Sequence, residues 1–143
     1  MSVVIQFFMA FFGALGFSIV FNAPRGELLV CGLAGGAGWT LYILLVQVGV
    51  PSFFSAFIAT AAVTLASRTL ANLRRMPLTV FLVSGIIPFV PGAGIYYTMY
   101  YTITGDTAAA SLKGIETFKM AGVIGVGIML VLALPGEFFA WRK

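Results

Sequence analysis

The stretch "SGIIPFVPGAGIYY", residues 84–97, is apolar enough to lie in a membrane, yet Pro88, Pro91, Gly92 and Gly94 all fall inside it. A proline within a helix removes one backbone donor and clashes with the preceding turn. Pro88 is therefore expected to free the carbonyl of Ser84, and Pro91 that of Ile87. Two such losses followed by two glycines predict an unwound segment, with a simple proline kink as the alternative. Unpaired backbone at membrane depth is tolerated only where it is buried in protein or lines a wet cavity. If a helix restarts with Pro91 in its first turn, where a missing N–H costs nothing, the amides of Gly92, Ala93 and Gly94 stand free at its N-terminus. That arrangement suits a carboxylate. Ser84, Tyr96, Tyr97 and Thr98 supply hydroxyls nearby in sequence.

The rest of the chain makes the membrane its setting. Of 143 residues, 61% are hydrophobic and 8% charged, and the mean hydropathy is +1.08, which excludes a water-soluble globule with a polar shell. A crossing helix needs about 20 apolar residues, so the length suits one membrane domain, residues 1–143, with no soluble catalytic domain beside it. Five stretches are long enough to cross: 3–21, 28–49, 53–73, 78–103 and 117–139. The fold class is all-α integral membrane protein, with the fourth of five transmembrane helices broken at its Pro-x-x-Pro-Gly segment. The N-terminal run has no basic leader and is too long for a signal sequence, so it reads as a retained span. The fourth connection, "TGDTAAASLKGIE" (104–116), reads either as a plain loop or as a short interfacial helix.

With five crossings, Arg25, Arg74, Arg75, Arg142 and Lys143 share one side, with Arg68 near the same end, while Lys113 and Lys119 lie opposite. Basic residues are retained in the cytoplasm, so the N-terminus is expected outside and the C-terminus inside. The net charge of +4 thus reports topology rather than a nucleic-acid partner. There is no histidine, and the lone Cys31 cannot form an intramolecular disulfide, so no metal site or cofactor is expected, and Cys31 reads as a small packing residue. No acid pair at catalytic spacing and no nucleophile motif is present, so the chain does not read as an enzyme.

Lipid tails give helices no hydrophobic reason to associate, so close contact depends on small residues. Gly32, Gly36 and Gly38, with Ala34, form such a face on the second span. Ala10, Gly13 and Gly16 on the first span and Ala121, Gly125 and Gly127 on the fifth make similar stripes. On the third span Thr60, Thr64, Ser67 and Arg68 share a face. With Asn22 they either line a polar pathway, or they bond neighbouring helices while Arg68 snorkels to the interface. Proton-driven transport calls for an ionisable group in the membrane. Glu27 is expected to pair with Arg25 near water, and Glu137 to sit at the interface beside "WRK". Either a partner supplies the titrating carboxylate, or packing draws one of these two inward.

The segments "GFSIVFNAPRGEL" (16–28), "IIPFVPGAGIYYTM" (86–99) and "LALPGEFFAWRK" (132–143) resemble the small subunit of the split threonine/serine exporter family. The similarity covers nearly the whole chain, and the matching motif positions are Phe21, Asn22, Pro24, Pro88, Pro91, Gly92, Tyr96, Pro135 and Gly136. The resemblance implies a bacterial inner-membrane secondary exporter of small hydrophilic metabolites. These would be hydroxyl amino acids such as threonine and serine, or dicarboxylates such as succinate. It also implies a larger membrane partner subunit and a higher oligomer in lipid. Family members are often drawn with four spans, so the count of five rests on this sequence. Two other readings stay open: a non-transporting assembly subunit, and a homo-oligomeric channel that works without a partner.

Overall fold

The computed structural model describes residues 2–135. In chain order it runs α1 (Val3–Val20), a 3-10 turn (Arg25–Glu27), α2 (Leu28–Gln47), α3 (Ser52–Arg74), α4 (Leu78–Ile86), a second 3-10 turn (Ile87–Phe89), α5 (Gly92–Ile103) and α6 (Thr107–Leu132). Four helices, α1, α2 with its leading turn, α3 and α6, are long and apolar enough to cross a membrane among the described residues. The bent pair α4 and α5 makes a fifth if counted as one span. Glu137, Arg142, Lys143 and the end of the expected fifth span lie outside the described residues.

One device ends four of the helices. After α1, α2, α3 and α5 a single residue adopts positive φ: Asn22 (56°), Gly49 (97°), Arg75 (52°) and Gly105 (83°). Each time, the amide of the following residue reaches back to a carbonyl in the last turn, as in Ala23 N to Ser18 O at 2.9 Å and Asp106 N to Tyr101 O at 3.0 Å. This is a Schellman cap, which uses carbonyls the helix leaves orphaned. Pro24, Pro51 and Pro77 each follow two residues after the first three of these positive-φ residues and cannot prolong the helix they leave. The connections are short because stop and start signals nearly touch.

The connection after α5 corrects the sequence reading. Residues 107–116 form neither a loop nor a separate interfacial helix; they are the first turns of α6, which is 26 residues long. Asp106 is the reason, since its carboxylate accepts from the Ala109 amide at 3.0 Å and caps the helix ten residues before the expected start of the fifth span.

Glycine contacts set the packing. On α2, a side chain at Gly32 or Gly36 would meet the Phe11 and Phe7 rings of α1, and one at Gly35 would stand 2.4 Å from the Ala14 Cβ. Gly38 abuts Val63 of α3, and Gly85 of α4 abuts the same valine. Gly127 of α6 fits against Thr60 and Phe57 of α3, while Gly94 of α5 fits against Thr117 of α6. Helix α4 therefore wedges between α2 and α3, and α6 closes on α3. Buried Ala56, Ala59, Val63, Phe89 and Ile124 form the central cluster; Cys31, Ala71 and Phe81 form a second near the α3–α4 turn. Helix α5 has α6 as its main neighbour and contains no buried residue.

Candidate functional site

The two prolines redirect the chain by 50° between the α4 segment and α5. The backbone accounting there differs from the sequence expectation in three places. The Ile87 carbonyl, expected to be freed by Pro91, accepts from the Val90 amide at 3.2 Å, because the chain tightens into a 3-10 turn. The Gly92 amide is not free either, since it bonds the Val90 carbonyl at 2.7 Å. Pro91 is the N-cap of α5, not part of its first turn. The first α-helical bond of α5 runs from Ile95 N to Pro91 O at 3.1 Å, which leaves Ala93 and Gly94 as first-turn amides with no helical acceptor.

A cavity of about 220 Å³ lies against this turn, lined by Pro88 to Ala93, Trp39, Tyr42, Ala56 and Met120. It is below the range of about 300–1,000 Å³ typical of drug-sized ligands. Its aromatic wall is a cluster in which the Trp39 ring centroid lies 5.0 Å from Tyr42 and 5.8 Å from Phe89. A second cavity, about 260 Å³, is lined by Gln6, Met9, Ala10, Trp39 and Pro88. Trp39 and Pro88 border both. The Trp39 indole N–H donates to the Gln6 amide oxygen at 3.2 Å, which ties the shared wall to α1.

The hydroxyls named from the sequence do not converge on this cavity. Ser84 is buried and donates to Val80 O at 3.0 Å within its own helix. Thr98 donates to Gly94 O at 2.7 Å. Tyr96 and Tyr97 are exposed on α5 and pack edge to face. On α3, Thr60, Thr64 and Ser67 are fully buried. Thr60 bonds the Ala56 and Phe57 carbonyls and Thr64 the Thr60 carbonyl, so these hydroxyls pack inside the bundle. The Arg68 guanidinium donates to the Val131 and Leu134 carbonyls, satisfying the orphan end of α6 where a cation is favoured. Asn22 is exposed and serves as the left-handed stop of α1.

Glu27 departs furthest from expectation. It is 9% exposed, and one carboxylate oxygen lies 3.1 Å from the Arg74 guanidinium rather than beside Arg25. Its other oxygen is buried and has no hydrogen-bond partner among the described residues, and the same holds for the Ser67 hydroxyl. Sequence reading also missed Trp39, Tyr42 and Gln6. Gln6, an amide in an otherwise apolar run, and Trp39, the bulkiest residue beside a glycine cluster, were the available signals.

A family profile described as "Threonine/Serine exporter, ThrE" matches residues 6–134. The chain belongs to the threonine/serine exporter family. The match begins at Gln6 and takes in both cavities, the Glu27–Arg74 pair and all six helices apart from the first three residues of α1. A Haemophilus influenzae relative named only as an uncharacterized protein is 30% identical over 134 residues. That alignment covers 91% of this chain and 45% of the relative, so the chain spans about half the length of the curated relative it matches. No solved structure matches it. This member of the threonine/serine exporter family is a multi-pass membrane protein.

Proposed function

We propose that the chain is one subunit of a two-component inner-membrane secondary exporter of small hydrophilic metabolites. Threonine and serine are the first candidates, and dicarboxylates such as succinate the second. In this reading α4 and α5 act as one span broken at the Pro88–Gly92 turn, giving five crossings, with the N-terminus outside and the C-terminus cytoplasmic as the basic residues predict. The observation that carries it is the small cavity at the turn. Backbone redirected by two prolines inside a membrane protein has a use when it borders a cavity. The first-turn amides of Ala93 and Gly94 offer donors to a substrate carboxylate, and Trp39 and Tyr42 wall the site.

A larger membrane partner completes the pathway and builds a higher oligomer. Three features support it. The chain matches under half of its longer relative. Helix α5 buries no residue. Gly13 and Gly16 on α1 and Gly122 on α6 have no atom within 4 Å of where a side chain would begin, so these faces permit the close helix approach that membranes reward.

The test is efflux of preloaded labelled threonine, serine and succinate from cells expressing this chain alone, with its partner, or with its partner and Gly92→Leu. Gly92 lines the cavity and has open space around it, so leucine can enter without displacing a helix. Efflux that needs both polypeptides and is lost in Gly92→Leu at normal membrane levels supports the reading. Efflux from this chain alone points to a homo-oligomeric channel. Efflux that survives the substitution moves the substrate site into the partner and leaves this chain an assembly role.

A further inference from the structure

Gln6 is the one polar side chain in the first three turns of α1. An amide carried into an apolar span costs free energy unless its hydrogen bonds are made. Half of this carboxamide is accounted for, since its oxygen accepts from the Trp39 indole N–H at 3.2 Å. An indole can only donate, so Trp39 fixes which end of the amide faces it. The other end, an NH2 group with two donors, makes no hydrogen bond among the described residues. The pair does not sit at the very end of the bundle. Trp39 stands eight residues before the end of α2 at Gln47, about 12 Å along the helix axis.

Gln6 lines the second cavity, about 260 Å³, with Met9, Ala10, Trp39 and Pro88. No other side-chain donor is available in that lining: Met9, Ala10 and Pro88 carry none, and the Trp39 N–H is engaged. Nor does a lysine or arginine line either cavity among the described residues. Two neutral donors in apolar surroundings recognise an oxygen acceptor, and a charged one most strongly. Without a fixed cation opposite, the acceptor is also free to leave, as a transport pathway requires. Trp39 and Pro88 border both cavities, so the first-turn amides of α5 and the Gln6 amide stand on two sides of one shared wall.

We infer that the second cavity is a further substrate station, in which the Gln6 NH2 group hydrogen-bonds the carboxylate of the exported metabolite. This rests on the proposed export of carboxylate-bearing solutes, and adds to it a binding residue on the α1 side of Trp39. Trp39 is a positioning residue at this station. By holding the amide oxygen it leaves both N–H donors for the cavity.

The test is substrate protection of single cysteines in the complex with its partner, purified in detergent. Of the two cavities, Met9 lines the second alone and Val90 the first alone. Both are exposed and the native Cys31 is fully buried, so Met9→Cys and Val90→Cys report the two spaces separately. The rate of modification by a cationic methanethiosulfonate is followed against threonine, serine, succinate and serinol, which carries an alcohol in place of the serine carboxylate. The carboxylates should slow modification at Met9→Cys, and serinol should not. Adding Gln6→Met should raise the concentration for half protection by about tenfold or more, the worth of a hydrogen bond to a charged group. Trp39→Phe breaks the same Gln6–Trp39 bond but keeps the donors, and should raise it less. Equal effects of these two variants would make Gln6 a packing residue and overturn the inference. So would protection that survives Gln6→Met, protection by serinol as strong as by serine, or a Met9→Cys that the reagent does not reach without substrate. Protection at Val90→Cys alone overturns the inference and leaves the proposed function standing. Protection at Met9→Cys alone upholds it and removes the substrate from the first cavity, and protection at neither overturns both.

Discussion

Replacing Gly35 by alanine tests the packing that holds the cavity. The added Cβ would lie 2.4 Å from the Ala14 Cβ, and 3.5 Å from both Pro88 Cγ and the Ser84 carbonyl oxygen. Two carbons rest at about 3.5–4.0 Å, so α1 and α2 must separate by about 1.1–1.6 Å, and Ala14, fully buried, has no rotamer by which to yield. Overpacking of this kind costs about 1–3 kcal/mol, offset by about 1 kcal/mol from alanine's better helix propensity. A net loss of up to about 2 kcal/mol is expected. The decisive measurement is a pair: thermal stability in detergent for Gly35→Ala and for the swap Ala14→Gly with Gly35→Ala. The swap moves the methyl across the interface and should recover most of the loss, whereas distant sites would simply add. A swap no more stable than the single variant would refute the packing argument.

Gly127→Ala should weaken the α3–α6 contact by about 1–3 kcal/mol, because its Cβ would stand 2.6 Å from Thr60 Oγ1 and 3.0 Å from the Phe57 carbonyl; cysteine cross-linking between these helices would report the loosening. Arg68→Gln removes charge-assisted bonds to the Val131 and Leu134 carbonyls and should cost about 1.5–3 kcal/mol, with faster amide hydrogen exchange confined to the last turn of α6. Gln6→Leu leaves the Trp39 indole N–H without its acceptor and should cost about 1–3 kcal/mol. Made in a Trp141→Phe background, it should also shift the remaining tryptophan fluorescence, and an unchanged spectrum would argue against the bond. Asp106→Ala removes the cap of α6 and should cost about 0.5–2 kcal/mol, read as loss of helicity limited to residues near Thr107.

The spans were legible because hydrophobic runs and their breakers are written in consecutive residues. Pro24, Pro51 and Pro77 mark three of the turns, and Pro88 and Pro91 mark the bend. The start of α6 was missed because Lys113 and Glu116 look like loop composition, while the signal that decides it is the single capping residue Asp106. The site was only half legible. Pro88 and Gly92 could be named from the motif, but the walls opposite them, Trp39 and Tyr42 on α2, are over 40 residues away in sequence and meet the turn only through tertiary packing. Glu27 was assigned to Arg25 by proximity in sequence, whereas packing of α2 against α3 and α4 brings it Arg74 instead. Local chemistry is read well from a sequence; the choice between two partners of like charge is not.

Helix α5, which buries nothing, has a consequence for abundance in the cell. Synthesised without the proposed partner, the chain would display tyrosines and threonines to lipid along about three turns, the kind of surface that membrane quality-control proteases take as a mark of an orphan. The level of this polypeptide would then be set by the supply of the other, which would hold the two in fixed ratio without any matching of their rates of synthesis.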